Sequence, residues 1–213
     1  MFSLSNKLYA ITDRRLSGLS ISEQVSQLID GGARLIQIRA KELSAAELLR
    51  EAEASINLAR ASGARIIIND RADVALALKA DGVHLGQDDL PPQAARQLLG
   101  PEAIVGFSTH TLEQAIAARS QPVNYIAFGP VFPTTTKKKP DPVVGVDAIS
   151  RVKEIVGDMP LVAIGGITAE NAPTVLSAGA DAVAMIGALC APQGSIGQNT
   201  AKIIQILTPA ERV

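Results

Sequence analysis

Residues 62–87 read SGARIIINDRADVALALKADGVHLGQ. A short apolar run, RIIIND (65–70), leads into a segment with helical spacing and then into a second run, GVHLGQ (82–87). Runs of this length that are apolar at consecutive positions suit strands covered on both faces, as in a parallel sheet flanked by helices. SGARIII (62–68) also shows how such a strand begins: glycine ends the preceding helix, and a small residue lets the chain turn tightly into the strand.

The pattern extends in both directions. KLYAIT (7–12), RLIQIR (34–39), AIVGFS (103–108), NYIAFG (124–129), LVAIGG (161–166) and AVAMIG (182–187) bring the apolar runs to eight. Helix-like stretches separate them; in residues 44–61, Leu48, Leu49, Ala52, Ile56 and Ala59 approximate one face. The glycine-led turn recurs in GGARLIQ (31–37), ADGVHL (80–85) and AGADAVAM (178–185). No proline-rich or charge-rich linker interrupts the series. The expected fold is therefore α/β, a single (β/α)8 TIM barrel in one domain over residues 1–213. The alternative, a doubly wound open sheet, would normally carry a G-x-G-x-x-G turn after its first strand, and none is present there.

Composition narrows the function classes. The 213 residues are 47% hydrophobic and 19% charged, the balance of a folded chain without a disordered tract. Formal net charge is −1 and the pI about 6.1, so nothing calls for a nucleic-acid or anionic-membrane partner, and any anion binding must be local. Cys190 is the lone cysteine and reads as a small buried side chain. The N-terminus lacks the layout of a signal peptide and no segment reaches about 18 uninterrupted apolar residues, which points to the cytoplasm. A homo-oligomer is left open.

In a barrel of this kind the C-terminal strand ends gather at one rim, where active sites are built. Polar residues crowd the predicted rim: Gln37, Arg39 and Lys41 after strand two, Asn69 and Asp70 after strand three, Gln87, Asp88 and Asp89 after strand four, and Ser108 after strand five. Thr134, Thr135, Thr136 and Lys137 follow strand six, Gly165 and Gly166 strand seven, and Ile186 and Gly187 strand eight. Arg39 and Lys41 alternate with Ala40 and would point the same way if the strand continues that far. Cations beside the carboxylates Asp70 and Asp89 suit a polyphosphate with Mg²⁺, which takes one or two protein carboxylates plus phosphate oxygens. IGGIT (164–168) and MIGAL (185–189) let backbone N–H groups approach a second phosphate, with a helix start adding favourable dipole. The Thr/Lys loop would connect the two anion sites.

Each feature has a plainer reading. Arg39 could sit on a solvated rim, Asp70 could cap the helix it opens, the glycines could serve tight turns, and Lys138 and Lys139 read as solvated loop. His84 reads as a satisfied barrel-core residue; near His110, Ser108 or Thr109 could be a helix N-cap. There is no Cys/His cluster with zinc spacing, no G-x-S-x-G elbow and no Walker loop.

QIRAK (37–41), IINDRADVALALKADGVHLGQDDL (67–90), GFSTHT (106–111), FGPVFPTTTKK (128–138), AIGGIT (163–168) and AGADAVAMIGAL (178–189), in this order and spacing, resemble the thiamine phosphate synthase (thiamine-phosphate pyrophosphorylase) family. The resemblance implies a (β/α)8 barrel and a transferase that joins an aminopyrimidine, hydroxymethylpyrimidine diphosphate, to a thiazole phosphate with Mg²⁺, releasing pyrophosphate. It further implies that Gln37, Arg39, Lys41, Asn69, Ser108 and Lys137 hold the pyrimidine diphosphate. Asp70 and Asp89 would bind magnesium, and Thr134, Thr136, Gly166, Ile186 and Gly187 would hold the thiazole phosphate. Arg39, Lys41, Ser108 and Lys137 are the expected catalytic residues, with Arg39, Lys41 and Lys137 placed where charge develops on the leaving diphosphate. Two positions depart from the family pattern: Ala40 stands where many members have Glu, and Gly187 where many have Ser. A related thiazole tautomerase, with His110 as acid/base, is the alternative enzyme reading; a non-catalytic binder of thiamine precursors is a third.

Overall fold

A computed structural model of the chain describes residues 4, 6–136, 141–190 and 194–208. Among these, eight parallel strands close into a barrel in sequence order: β1 (Leu8–Ile11), β2 (Leu35–Ile38), β3 (Arg65–Asn69), β4 (Gly82–Leu85), β5 (Ile104–Thr109), β6 (Tyr125–Phe128), β7 (Leu161–Ile164) and β8 (Ala182–Met185). Every predicted run coincides with one strand, β5 continuing one residue past its run to Thr109. β1 pairs with β8 through Leu8↔Val183, Tyr9↔Ala184 and Ala10↔Met185, which closes the ring without an edge.

Helices return the chain between strands. They are α1 (Arg14–Ser17), α2 (Ile21–Asp30), α3 (Ala45–Ser62), α4 (Ala72–Leu78), α5 (Pro92–Leu99), α6 (Leu112–Ala118), α7 (Asp147–Val156), α8 (Ala172–Ser177) and α9 (Ile196–Leu207). Three of them start on capping boxes, Ser20 with Glu23, Ser44 with Glu47 and Ser195 with Gln198, each closing two otherwise open N–H groups. The predicted face of α3 buries Leu48, Ala52, Ile56 and Ala59; Ser55 is buried as well, donating its hydroxyl to Glu51 O at 3.4 Å. The glycine-led turn holds at Gly63, which ends α3 in the left-handed conformation. In ADGVHL it does not: Lys79, at φ 50°, ends α4, and Gly82 already lies inside β4.

Alternation along the strands separates two cores. Outward residues such as Ile36, Ile66, Ile68, Val83, Val105 and Ile126 pack under the helices. Inward residues Tyr9, Ile11, Leu35, Ile67, Ile104, Tyr125, Ala127, Val162, Ala182 and Ala184 fill the barrel. The interior space is tight at Gly106: a Cβ there would collide with the ring end of Tyr125, so glycine is what leaves room for that ring.

Candidate active site

The inward parity that fills the barrel also sets its upper end. Asn69 and Ser108 continue the inward positions of β3 and β5, and Arg39 follows the inward Gln37. β2 ends at Ile38, so strand alternation does not carry Lys41 to the rim as the sequence suggests. Its ammonium instead reaches across to Asp70 Oδ2 at 3.0 Å, joining the ends of β2 and β3.

Asp70 does not cap a helix. The N-cap of α4 is Arg71, and Asp70 holds φ 62°, a left-handed conformation that aspartate tolerates better than most residues, with its N–H bonded to His84 O at 2.8 Å. That bend brings its carboxyl within hydrogen-bonding reach of Asp89, whose Oδ2 accepts the Gly86 N–H at 2.7 Å. Burial and then the neighbouring Asp70 push the Asp89 carboxyl above its ordinary range, while the Gly86 N–H and Lys41 pull the other way. Two carboxylates held together at this expense form a donor set that a divalent cation relieves. A pair of oxygen donors, with remaining positions left to water and phosphate, fits Mg²⁺. Among the described residues no group of three or more His, Cys, Asp or Glu is assembled, so the donor set does not resemble a zinc site. Asp88 is exposed and stands outside the pair.

Arg39 is not simply solvated. Its Nη1 donates to Asp13 Oδ2 at 2.9 Å, and its N–H to Thr12 Oγ1 at 3.1 Å. Asp13, 2% exposed, also caps α1 by accepting from the N–H groups of Arg15 and Leu16. This carboxylate escapes the sequence reading, although an acid directly after a buried strand is an available signal. Cys190 lies beside it, its thiol pushed up to about 11 by burial and by the Asp13 charge, which leaves it un-ionised at neutral pH.

Below the rim runs a line of buried hydrogen bonds. Gln37 Nε2 donates to Tyr9 Oη at 2.9 Å, and Tyr125 Oη donates to Tyr9 Oη at 2.8 Å. His84 Nδ1 meets Tyr125 Oη at 2.9 Å, and its Nε2 meets Ser108 Oγ at 2.8 Å. The His84 and Tyr125 rings stack with centroids 5.5 Å apart. Burial lowers His84 to about 4, so the ring is neutral through the physiological range. His84 is thus a satisfied interior residue, as its sequence context suggests, but it also supports a predicted site residue. Both tyrosines of the chain sit on inward strand positions; a buried phenol needs a partner, and that signal is present in the sequence. Neither Ser108 nor Thr109 is a cap: Thr111 caps α6, and Thr109 is buried with its hydroxyl on Ala127 O.

The opposite side of the rim carries the threonine and glycine loops. Val131 and Phe132 donate their N–H groups to Ile164 O and Gly165 O at 2.9 and 3.0 Å, laying the loop after β6 along the end of β7. Gly166, at φ 64°, packs so closely under Phe132 and Pro133 that a side chain there would strike the Pro133 carbonyl, so glycine is required by this crossing. Thr134 follows at once, and its Oγ1 accepts the Thr136 N–H at 3.4 Å. α8 begins only at Ala172, so no helix starts directly at IGGIT; residues 168–171 are closed by Asn171, which accepts from Thr168 N and donates to Gly166 O. After β8, Leu189 and Cys190 both turn their N–H groups back to Ile186 O, winding a helical turn from Gly187. Such a turn leaves its first N–H groups without partners inside it. Ile186 packs on the inner core, and a Cβ at Gly187 would meet nothing within 4 Å. Lys137, with Lys138 and Lys139, lies outside the described residues.

Residues 8–189 match the family model described as thiamine monophosphate synthase. The chain is 44% identical over 191 residues to the thiamine-phosphate synthase of Azorhizobium caulinodans, covering 89% of each chain. It is 49% identical over 182 residues to that of Chlorobium luteolum, covering 85% of this chain and 84% of the relative. The solved structure of a thiamine phosphate pyrophosphorylase from Pyrococcus furiosus superposes with a TM-score of 0.85 at 37% identity, over 94% of this chain and 95% of that one. Matched from its first strand to the turn beyond its last, the chain belongs to the thiamine monophosphate synthase family.

Proposed function

We propose that the rim built by β2–β8 joins a pyrimidine diphosphate to a thiazole phosphate, with Mg²⁺, to give thiamine phosphate and pyrophosphate. As a thiamine-phosphate synthase the chain is an enzyme, a transferase. The observation that carries the site assignment is the cluster of Lys41, Asp70 and Asp89, in which one cation and two carboxylates from three strand ends meet.

In this reading Asp70 and Asp89 hold the divalent ion, which when bound neutralises diphosphate oxygens. Arg39, kept in place by Asp13, and Lys41 bind the remaining oxygens, and Lys137 joins them from the loop after β6. The pyrimidine methylene carbon loses its bond to diphosphate, the electron pair departing with the oxygen. Charge therefore grows where Arg39 and Lys41 stand, and a preorganised contact at such a position is worth about 3 to 4 kcal/mol in the transition state. The thiazole nitrogen then supplies the pair for the new carbon–nitrogen bond. Thr134, Thr136, Gly166, Ile186 and Gly187 hold the thiazole phosphate in line, an orientation effect. Gln37, Asn69 and Ser108 line the floor beneath the pyrimidine. No protein nucleophile is used, in keeping with the un-ionised Cys190.

The tautomerase reading would use His110 as its acid/base. His110 Nδ1 donates to Gly129 O at 2.6 Å, which holds that edge of the ring against the loop after β6, and its Nε2 lies 3.6 Å from Asp141 Oδ2. Among the described residues no helix is long and apolar enough to cross a membrane, and we place the enzyme in the cytoplasm. Incubation of the protein with both substrates, with and without Mg²⁺, tests the proposal. Thiamine phosphate forming only with the metal supports it; isomerisation of thiazole phosphate alone indicates the tautomerase, and binding without turnover a regulator.

A further inference from the structure

The buried hydrogen-bond line has a direction, and the direction determines what Ser108 can do. Gln37 Nε2 can only donate, and it donates to Tyr9 Oη. Tyr125 Oη also donates to Tyr9 Oη. A phenol has one proton, so toward His84 Nδ1, 2.9 Å away, Tyr125 Oη is an acceptor. With the Tyr125 proton turned to Tyr9, Nδ1 carries the ring proton. In a neutral imidazole Nε2 is then bare, and Ser108 Oγ, 2.8 Å away, gives its own proton to it. What remains on Ser108 Oγ are lone pairs.

We propose that His84 is a positioning residue, locked as the Nδ1–H tautomer by Tyr125, which makes Ser108 Oγ a hydrogen-bond acceptor only. Ser108 therefore recognises an N–H donor, the exocyclic amine of the pyrimidine substrate, and not a diphosphate oxygen, which has no proton to give. The substrate side of this inference rests on the synthase reading; the tautomer does not. Several observations support the lock. His84 is 6% exposed, its ring is stacked on Tyr125, and Gly106 leaves the room in which the Tyr125 ring takes that position.

The tautomer is read by ¹⁵N NMR of histidine-labelled, ligand-free protein, with the two histidines distinguished by a His110→Asn variant. The expected pattern for His84 is a protonated Nδ1 and a pyridine-like Nε2, retained in Ser108→Ala and redistributed toward Nε2–H in Tyr125→Phe. A protonated Nε2 in the unmodified protein, or an unchanged pattern in Tyr125→Phe, overturns the lock. Kinetics test the recognition. His84→Gln, which can keep an acceptor near the Nε2 position, should hold KM for the pyrimidine diphosphate within about threefold, whereas His84→Leu raises it about tenfold or more, the effect of one misdirected hydrogen bond. With a pyrimidine diphosphate lacking the exocyclic amine, the gap between unmodified protein and His84→Leu should close; a gap that persists overturns the amine contact. If no form of the protein consumes the pyrimidine diphosphate, the synthase reading fails while the nitrogen pattern still decides the tautomer.

Discussion

Asp70→Asn removes one negative charge from the rim and leaves its shape. Asparagine accepts the φ of 62° as readily as aspartate, so the bend after β3 survives. The substitution breaks the 3.0 Å ion pair with Lys41, whose side chain is 58% exposed; a pair so open to solvent contributes about 0.2 to 1 kcal/mol. Relief of the like charge beside Asp89 offsets part of that cost. Folding stability should change by less than about 1 kcal/mol, or about 2–4 °C in Tm for a chain of this size. Catalysis responds differently. One carboxylate of the cation pair is gone, and removing a preorganised charge of this kind costs about 100- to 1000-fold in turnover. The Asp89 carboxyl, no longer pushed up by its neighbour, moves back toward its ordinary range, and the Mg²⁺ concentration for half-maximal rate rises. Asp70→Ala is the contrast, because alanine at positive φ adds about 1 to 2 kcal/mol of backbone cost and lowers Tm further. The measurements are thiamine phosphate formation across a Mg²⁺ titration and thermal melts of both variants. Near-normal turnover with unchanged Mg²⁺ dependence in Asp70→Asn would refute the metal assignment.

The interior makes its own predictions. Because His84 is lowered to about 4 in the folded protein and is ordinary when unfolded, its contribution to stability is present above about pH 6.5 and is lost as pH falls toward 4. At about 1.4 kcal/mol per pH unit the loss approaches about 3 kcal/mol, and chemical denaturation should show it in the unmodified protein but not in His84→Gln. Gly106→Ala places a methyl group against the Tyr125 ring, and overpacking of this kind should destabilise by about 1 to 3 kcal/mol, seen as a lower Tm. Gly187→Ser meets open space and an ordinary φ, so Tm should hold. If the new hydroxyl reaches the thiazole phosphate as proposed, KM for that substrate falls about fivefold, the worth of one hydrogen bond.

Much of this architecture is legible because strands buried on both faces leave continuous apolar runs, and each of the eight runs holds a strand. Meetings between strand ends are less so. Lys41 reaches Asp70 because the parallel register sets Leu35 opposite Arg65 and Ile38 opposite Ile68, a relation that spacing along one segment does not express. Asp70 resembles a cap because it precedes a helix, yet its positive φ delays the helix by a residue and turns the carboxyl toward Asp89. Asp13 goes unnoticed because its partner, Arg39, is 26 residues away in sequence and adjacent only across β1 and β2. His84 reads correctly as interior, but its role depends on Tyr9 and Tyr125, which an apolar-run reading counts simply as bulk. The threonine loop falls at the right rim, and its crossing over Gly166 follows from two backbone hydrogen bonds to the end of β7 that no side-chain pattern announces.

The column of Gln37, Tyr9, Tyr125, His84 and Ser108 draws on five of the eight strands, and each member is hydrogen-bonded to the next. Substituting any one of them strands a polar neighbour in a place water does not readily enter, so an altered heterocycle preference is not reachable by single replacements here. Divergence toward a new ring must pass through coordinated exchanges, with Tyr9 and Tyr125 changing together or His84 with Ser108. Lineages that retain one member should retain the set, and libraries that vary these positions in pairs should return more clones of altered ring preference than libraries that vary them singly.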